Sequence, residues 1–249
     1  MNKITIIIPI FNEAKNIEIL LNYLLENSLE KNISEIIVVD GGSTDGSQNI
    51  IANFLFGRTQ SRPTNNLSTW LDETSIIVLN SKKGRAKQMN LGAQHATGNI
   101  LYFLHADSFP PKNFDQFISD EVTKGNLAGC FRMQFNSKHW WLKLAGWFTQ
   151  FSWRACRGGD QSQFITKNLF QEIGGFNEDY STYEDNMLIN ALYQKKQFVV
   201  INKKLKTSAR LYQKHGVFKV QYHFYIIYLK KWLGASAEEL YIYYAKHLS

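Results

Sequence analysis

Apolar runs and amphipathic stretches alternate along the first hundred residues. Ile4 to Ile10 is a continuous apolar run of strand length, and Ile19, Leu20, Tyr23 and Leu24 behind it recur at helical spacing, with Asn12 in position to cap that helix. Glu35 to Val39 predicts a second buried strand that ends at Asp40 and the turn-rich G-G-S-T-D-G-S. Ile50, Ile51, Phe54 and Leu55 then place a helix, Ser75 to Leu79 a third strand, Arg85 to His95 a third helix and Ile100 to Leu104 a fourth strand. Fully apolar strands separated by amphipathic helices specify an α/β fold whose mostly parallel sheet is covered on both faces. Such a sheet takes its ligand at the carboxyl ends of its strands. Chemistry is therefore expected in the segments 9–13 (P-I-F-N-E), 40–46 (D-G-G-S-T-D-G), 80–85 (N-S-K-K-G-R) and 105–108 (H-A-D-S).

The strict alternation stops after Pro110-Pro111. Leu127 to Phe135 reads as a strand, 139–153 as an aromatic amphipathic helix and Tyr183 to Gln194 as a further helix. Two more helices are expected at 217–232 and 236–247, divided by Gly234. Gly57 to Thr74 is polar, with the turn-forming R-P-T-N-N in it, and reads as a surface loop or insertion. Neither an internal repeat nor an interdomain linker is visible, so residues 1–249 are expected to form a single domain.

Composition sharpens this picture in one place. The net charge is +7, from 28 Lys and Arg against 21 Asp and Glu. From Lys195 onward there are eleven basic residues against two acidic ones, a balance of +9, which leaves −2 for the first 194 residues. The positive charge thus belongs to the C-terminal quarter and points to an anionic partner there. No nucleic-acid-binding module accompanies it, so nucleic acid is not the expected partner. Two cysteines, Cys130 and Cys156, are too few for a disulfide framework and are expected as free thiols in a reducing compartment. The apolar run at the N-terminus is too short for a signal peptide, and no stretch reaches spanning length, so a cytoplasmic location is expected.

Two acidic sites stand out. Asp107, in His105-Ala106-Asp107 directly after the fourth strand, is placed to hold a divalent cation; alone, it is equally a turn or capping residue ahead of Pro110. Glu184-Asp185 opens a helix, where carboxylates are favourable against the helix dipole whether or not they are catalytic. The glycine-rich loop 40–46 has the spacing of neither a dinucleotide fingerprint nor a P-loop, and zinc-hydrolase and serine-hydrolase motifs are absent.

Order and spacing carry more than any one motif. P-x-F-N-E, V-V-D-G-G-S-T-D-G-S, G-R-A-K-Q-M-N-L-G, L-H-A-D-S, G-G-F-N-E at 174–178 and Y-E-D-N-M-L follow one another over residues 3–200. This succession resembles the family 2 glycosyltransferases, which have the GT-A type fold. The pieces G-R-A-x-Q-M-N, L-H-A-D, G-D-Q, T-S-A-R and L-G-A-S-A-E-E-L are similar to a bacterial branch described as selenodomain- or radical-SAM-associated.

The resemblance implies a GT-A type, Rossmann-like sheet flanked by helices. It implies a nucleotide-binding half at 1–108, an acceptor and catalytic half at 109–200, and basic aromatic helices on the acceptor side at 201–249. It implies an inverting transfer from a nucleotide-sugar donor, assisted by a divalent cation (Mn²⁺ or Mg²⁺). Asp107 matches the metal-binding carboxylate, Asp185 the general base and Glu184 its supporting neighbour. Pro9, Phe11 and Glu13 match the nucleoside-binding edge, with Phe11 positioned to stack on the base. Asp40 and Arg85 match the nucleotide pocket, with Arg85 available to a phosphate. Asp160 and Gln161 match the acceptor side, while Arg210 and His215 lie on the segment that closes over the diphosphate, His215 as an additional metal ligand.

Two departures from the family pattern weaken specific expectations. His105 replaces the first carboxylate of D-x-D, which leaves a poorer site for a hard cation. Gly41 replaces the acidic residue of D-D-G-S, so the identity of the base does not carry over. Trp140, Trp141, Trp147, Phe148, Phe151 and Trp153, with Lys and Arg nearby, read as core packing, as a stacking platform for the acceptor, or as a peripheral contact with a membrane face carrying a lipid-linked or anionic acceptor. Two alternatives to a transferase remain: a catalytically weak nucleotide-sugar or glycan binder, motivated by H-A-D, and a sugar-phosphate nucleotidyltransferase, disfavoured by the absence of a Gly-rich basic first loop.

Overall fold

A computed structural model describes residues 2–60, 74–158 and 161–248. One sheet of eight strands organises them: β1 (Ile4–Ile10), β2 (Ile33–Asp40), β3 (Ser75–Asn80), β4 (Ile100–Phe103), β5 (Ser108–Phe109), β6 (Ala128–Phe135), β7 (Gln163–Thr166) and β8 (Val199–Thr207). Their spatial order is β3-β2-β1-β4-β7-β6-β8-β5. The ladders β1–β2, β1–β4, β2–β3 and β6–β8 are parallel, while β4–β7, β6–β7 and β5–β8 are antiparallel. The sheet is thus parallel where the sequence alternates strand and helix, and mixed beyond Pro110.

Among the described residues ten α-helices cover it: α1 (Ile17–Asn27), α2 (Ser47–Gln60), α3 (Arg85–His95), α4 (Phe114–Thr123), α5 (Trp140–Phe148), α6 (Lys167–Glu172), α7 (Glu184–Gln194), α8 (Arg210–His215), α9 (Val217–Trp232) and α10 (Ala237–Leu248). β1 is buried along its whole length, and its side chains divide by strand parity. Ile4, Ile6, Ile8 and Ile10 join the core under α1, α2 and α4, whereas Ile7 joins Met89 of α3 and Leu188 and Leu192 of α7 on the opposite face. A third cluster, with Phe135, Leu142, Tyr212, Val220, Ile227 and Leu240, fastens α5, α8, α9 and α10 to the end of β6.

Several expectations need correction. α1 begins at Ile17 with Asn16 at its cap position, because Asn12 is held at φ 58° in a turn before it. Ile19 is exposed, and Ile17, Leu20, Leu21, Leu24 and Leu25 form the buried stripe. The aromatic helix expected over 139–153 stops at Phe148, where Thr149 closes it, and a 3-10 turn follows at Arg154–Cys156. α2 runs on through Gly57 to Gln60; residues 61–73 of the expected loop and Asp160 lie outside the described residues. Both cysteines are free as expected, Cys130 buried and Cys156 partly so.

Candidate active site

The strand order reverses at β1, with β2 and β3 on one side and β4 on the other, so a crevice opens beyond the carboxyl ends of β1 and β4. A cavity of about 1250 Å³ occupies it. Phe11 comes to this cavity from the end of β1, Arg85 from the first turn of α3, and His105 and Asp107 from the turn after β4. Asp185 comes from the first turn of α7, Arg210 from α8 and Gln161 from the segment before β7. Pro9 lines a small recess together with His105, Gln161 and Asp185.

The first-loop geometry follows from short polar side chains satisfying backbone groups. Asn12 N donates to Ser43 Oγ at 2.9 Å, Thr44 N to Asn12 Oδ1 at 2.8 Å, Glu13 N to Ser47 Oγ at 3.0 Å and Ala14 N to Asp45 Oδ2 at 2.9 Å. Asp40 is wholly buried inside this lacing. It accepts from Ser43 N at 3.0 Å, Ser43 Oγ at 2.6 Å and Gln48 Nε2, and it is not among the residues lining the cavity. Gln88, which sequence reasoning passed over, donates through Nε2 to Ile10 O and Val39 O, both at 2.7 Å, tying α3 to the ends of β1 and β2. Its signal was a polar residue among the buried positions Ala86, Met89 and Ala93 of one helix face. A Cβ on Gly41 would meet that carboxamide at 3.1 Å. The replacement of the usual acidic residue by glycine thus coincides with the glutamine filling the space.

Glu184 and Asp185 follow Tyr183, which holds φ 82°, so both carboxylates sit in the first turn of α7 where the helix dipole favours negative charge. Glu184 is fully buried, with Arg85 Nε 2.8 Å from its Oε1. The contact is an ion pair lacking hydrogen-bond geometry, and neither Glu184 oxygen accepts a hydrogen bond. Burial pushes the Glu184 carboxyl above its usual value, Arg85 pulls it back and the adjacent Asp185 raises it again. Asp185 is the member of the pair that reaches the cavity, with Arg85 Nη2 3.9 Å from its Oδ2. Arg85, expected to serve a phosphate, is thus also the counter-ion that holds both carboxylates in place.

Glu13 lies beneath Arg210, which donates to its carboxylate at 3.1 and 2.5 Å, and Arg210 Nε stands 3.3 Å from Asp107 Oδ2. Phe11 presents one face to Lys83, whose Nζ is 4.0 Å from the ring centroid. Lys83 is another cavity residue that sequence reasoning missed. His215 is placed apart from the cavity. Its neighbours are Lys214, Lys219 and His223, and burial together with the two lysines lowers its pKa. No cluster of three or more His, Cys, Asp or Glu suited to a metal occurs among the described residues. Asp107 is a lone carboxylate beside His105, a donor set that fits a cation arriving with phosphate oxygens, since Mg²⁺-type ions take one or two carboxylates and complete their shell from substrate phosphates and water.

The opposite wall of the cavity is aromatic, drawn from α5, α8, α9 and α10. Trp140, Trp147 and Trp153 are exposed on its outside. Among the described residues no helix is long and apolar enough to cross a membrane.

Residues 5–198 match the model of glycosyl transferase family 2. Glycosyltransferase AglE of Haloferax volcanii is 33% identical over 107 residues, 43% of this chain and 31% of that protein. The mannosyltransferase PcManGT of Pyrobaculum calidifontis, solved with GDP-Man and Mn²⁺, superposes with a TM-score of 0.67 at 16% identity over 99% of this chain and 69% of its own. S. aureus TarS 1–349, solved with UDP, gives a TM-score of 0.62 at 16% identity over 83% of this chain and 60% of its own. The chain therefore spans under a third of the curated relative and about 60% of TarS 1–349. The architecture is the GT-A type, and the chain belongs to glycosyl transferase family 2.

Proposed function

We propose that this chain transfers a sugar from a nucleotide-sugar donor to an acceptor hydroxyl with inversion at the anomeric carbon. The observation that carries the reading is the convergence of Phe11, Arg85, Asp107, Asp185 and Arg210 on one cavity from five separate segments. At about 1250 Å³ the cavity exceeds the roughly 300–1,000 Å³ of an ordinary small-molecule site, which suits two substrates held together.

Asp185 acts as the base: its carboxylate takes the acceptor proton as the acceptor oxygen bonds to the anomeric carbon and the bond to the diphosphate breaks. Glu184 and Arg85 keep that carboxylate oriented, Arg85 as the shared counter-ion. Phe11 supplies a face for the nucleobase, next to Pro9 at the end of β1. Asp107 would hold the divalent cation that accompanies the donor. When bound, the cation offsets charge on the departing diphosphate. Arg210 adds a fixed positive charge at the same place. Gln161 belongs to the acceptor side, while Asp160, expected with it, lies outside the described residues. A cytoplasmic location and a peripheral membrane contact fit this reading, the contact being carried by the exposed tryptophans.

A thermal-shift panel of UDP-, GDP- and dTDP-sugars with and without Mn²⁺ tests the assignment. Ligand bound to the folded state at a hundred times its Kd stabilises by about 2.7 kcal/mol. At least one donor raises the Tm, more so with Mn²⁺, and Asp107→Asn removes the Mn²⁺-dependent part. Absence of a shift with every nucleotide-sugar overturns the assignment.

A further inference from the structure

The cavity continues past the reacting centre, and its chemistry changes as it does so. Near the strands it carries Asp107, Asp185, Arg85 and Arg210. Beyond them the wall consists of side chains such as Phe135, Trp141, Phe148, Phe224, Tyr228 and Tyr244. From Leu211 onward the only charged lining residue among those described is Lys214, and the two carboxylates of the whole described lining are Asp107 and Asp185. Arg157, the other charge on this side, is turned into the protein: it donates to Thr149 O at 2.5 Å, Phe151 O at 2.7 Å and Cys130 Sγ at 3.1 Å. The polar groups of this wall are the tips of residues such as Gln221, Tyr228 and Tyr244, set among Phe135, Leu211, Phe224 and Ile227, so a second sugar ring lying here would also press hydroxyls against side chains that offer them no hydrogen bond. An apolar body meets the same apolar members without hydroxyls of its own to leave unpaired, and it gains from leaving water.

The mouth has the same character. Phe148, Tyr228 and Tyr241 line the cavity and are also exposed, at 37%, 38% and 48%. Outside them the aromatic surface continues, with the Trp147 ring 5.1 Å from that of Phe148 and the Phe151 ring 4.8 Å from that of Trp153. Aromatic side chains are thus found both on the surface and inside the cavity on this side, while Ser181, Thr182 and Asn186 adjoin Asp185.

We propose that the acceptor is an amphiphile, with a hydroxyl-bearing head presented to Asp185 and a hydrocarbon body lying along the aromatic wall between α5 and α9–α10. The proposal rests on the reading of Asp185 as the base and adds the chemical class of the acceptor.

The test uses the full chain and n-alkyl β-glucosides from methyl to decyl, kept below their critical micelle concentrations, with a donor that raises the Tm. Binding is followed by tryptophan fluorescence and transfer by product formation. Nucleoside diphosphate release without acceptor is measured alongside as the separate report on donor chemistry. Affinity and kcat/KM are expected to rise about fourfold per methylene until the chain fills the cavity. Trp141→Ala and, on a different helix, Tyr228→Ala flatten that slope. Trp232→Ala, at 81% exposure and outside the cavity, leaves it intact. Equal values for methyl and decyl acceptors overturn the proposal, as does a slope abolished by Trp232→Ala, or chain-length-dependent binding without transfer. Loss of donor-only release overturns the reading of the centre instead, so the two failures are told apart.

Discussion

Arg210 grips Glu13 across 197 positions of sequence, donating to its two carboxylate oxygens at 3.1 and 2.5 Å while its Nε stands 3.3 Å from Asp107. The fork fastens α8 to the end of β1 at the place where a diphosphate is proposed to lie. Because the arginine side chain is 58% exposed, its ion pairs contribute at most about 1 kcal/mol to stability. A charge-assisted contact to a bound phosphate is worth about 1.5–3 kcal/mol.

Arg210→Ala is therefore expected to shift the unfolding free energy by under about 1 kcal/mol. The same change raises the nucleotide-sugar Kd by roughly ten- to a hundredfold. Arg210→Lys keeps the charge but loses the fork, and falls between the two. Urea unfolding and donor titration of the same preparations separate these effects. A large loss of stability with unchanged donor affinity would assign Arg210 to structure alone.

The buried Glu184 gives a pH signature. Its carboxyl titrates above the ordinary value of 4.5 in the folded state, chiefly because burial disfavours the charge. The folded protein thus holds this proton more tightly than the unfolded chain does. Its contribution to stability is complete below the unfolded value and is lost as pH rises through the raised folded value. The Tm difference between Glu184→Gln and the parent is expected to move in favour of the variant as pH climbs from about 4.5 through that window. A difference independent of pH contradicts the raised value.

Packing of α3 on the sheet gives a third prediction. A Cβ on Gly92 would fall 2.5 Å from Ile7 Cγ2 and 3.3 Å from Val39 Cγ2. Helix propensity alone favours alanine there by about 1 kcal/mol. Overpacking costs about 1–3 kcal/mol, so Gly92→Ala is expected to be neutral to destabilising by up to about 2 kcal/mol. Moving α3 also moves Arg85, so donor affinity is expected to fall with it. An unfolding midpoint above the parent's would show that helix and sheet separate freely.

Legibility followed burial and distance along the chain. β1 and α3 could be read to within a residue, because a continuous buried run and a one-sided helix leave direct patterns. β8 was missed because three exposed residues in a row, Asn202, Lys203 and Lys204, interrupt its apolar positions. β7 has only four residues, and a register shift between Phe131 and Arg132 breaks the pairing of β6 with β8. Ile19 misled as an apolar residue on the solvent side of α1. At the site, the motifs pointed to Asp107 and Asp185, which the fold brings to one cavity. The pairings of Arg85 with Glu184 and of Arg210 with Glu13 join segments far apart in sequence and leave no local pattern. The C-terminal wall of the cavity was legible only as an aromatic-basic composition, since nothing local tells an inward Tyr244 from an outward Trp232.

Asp185 as the base is tested most directly by nucleoside diphosphate release from Asp185→Asn, measured beside a thermal shift with the same donor. The substitution keeps the side-chain shape and removes the proton acceptor. The donor-induced Tm shift is expected to stay close to the parent's, while release falls about 10²–10⁴-fold. Release at the parental rate in a variant that still binds donor would contradict the mechanism.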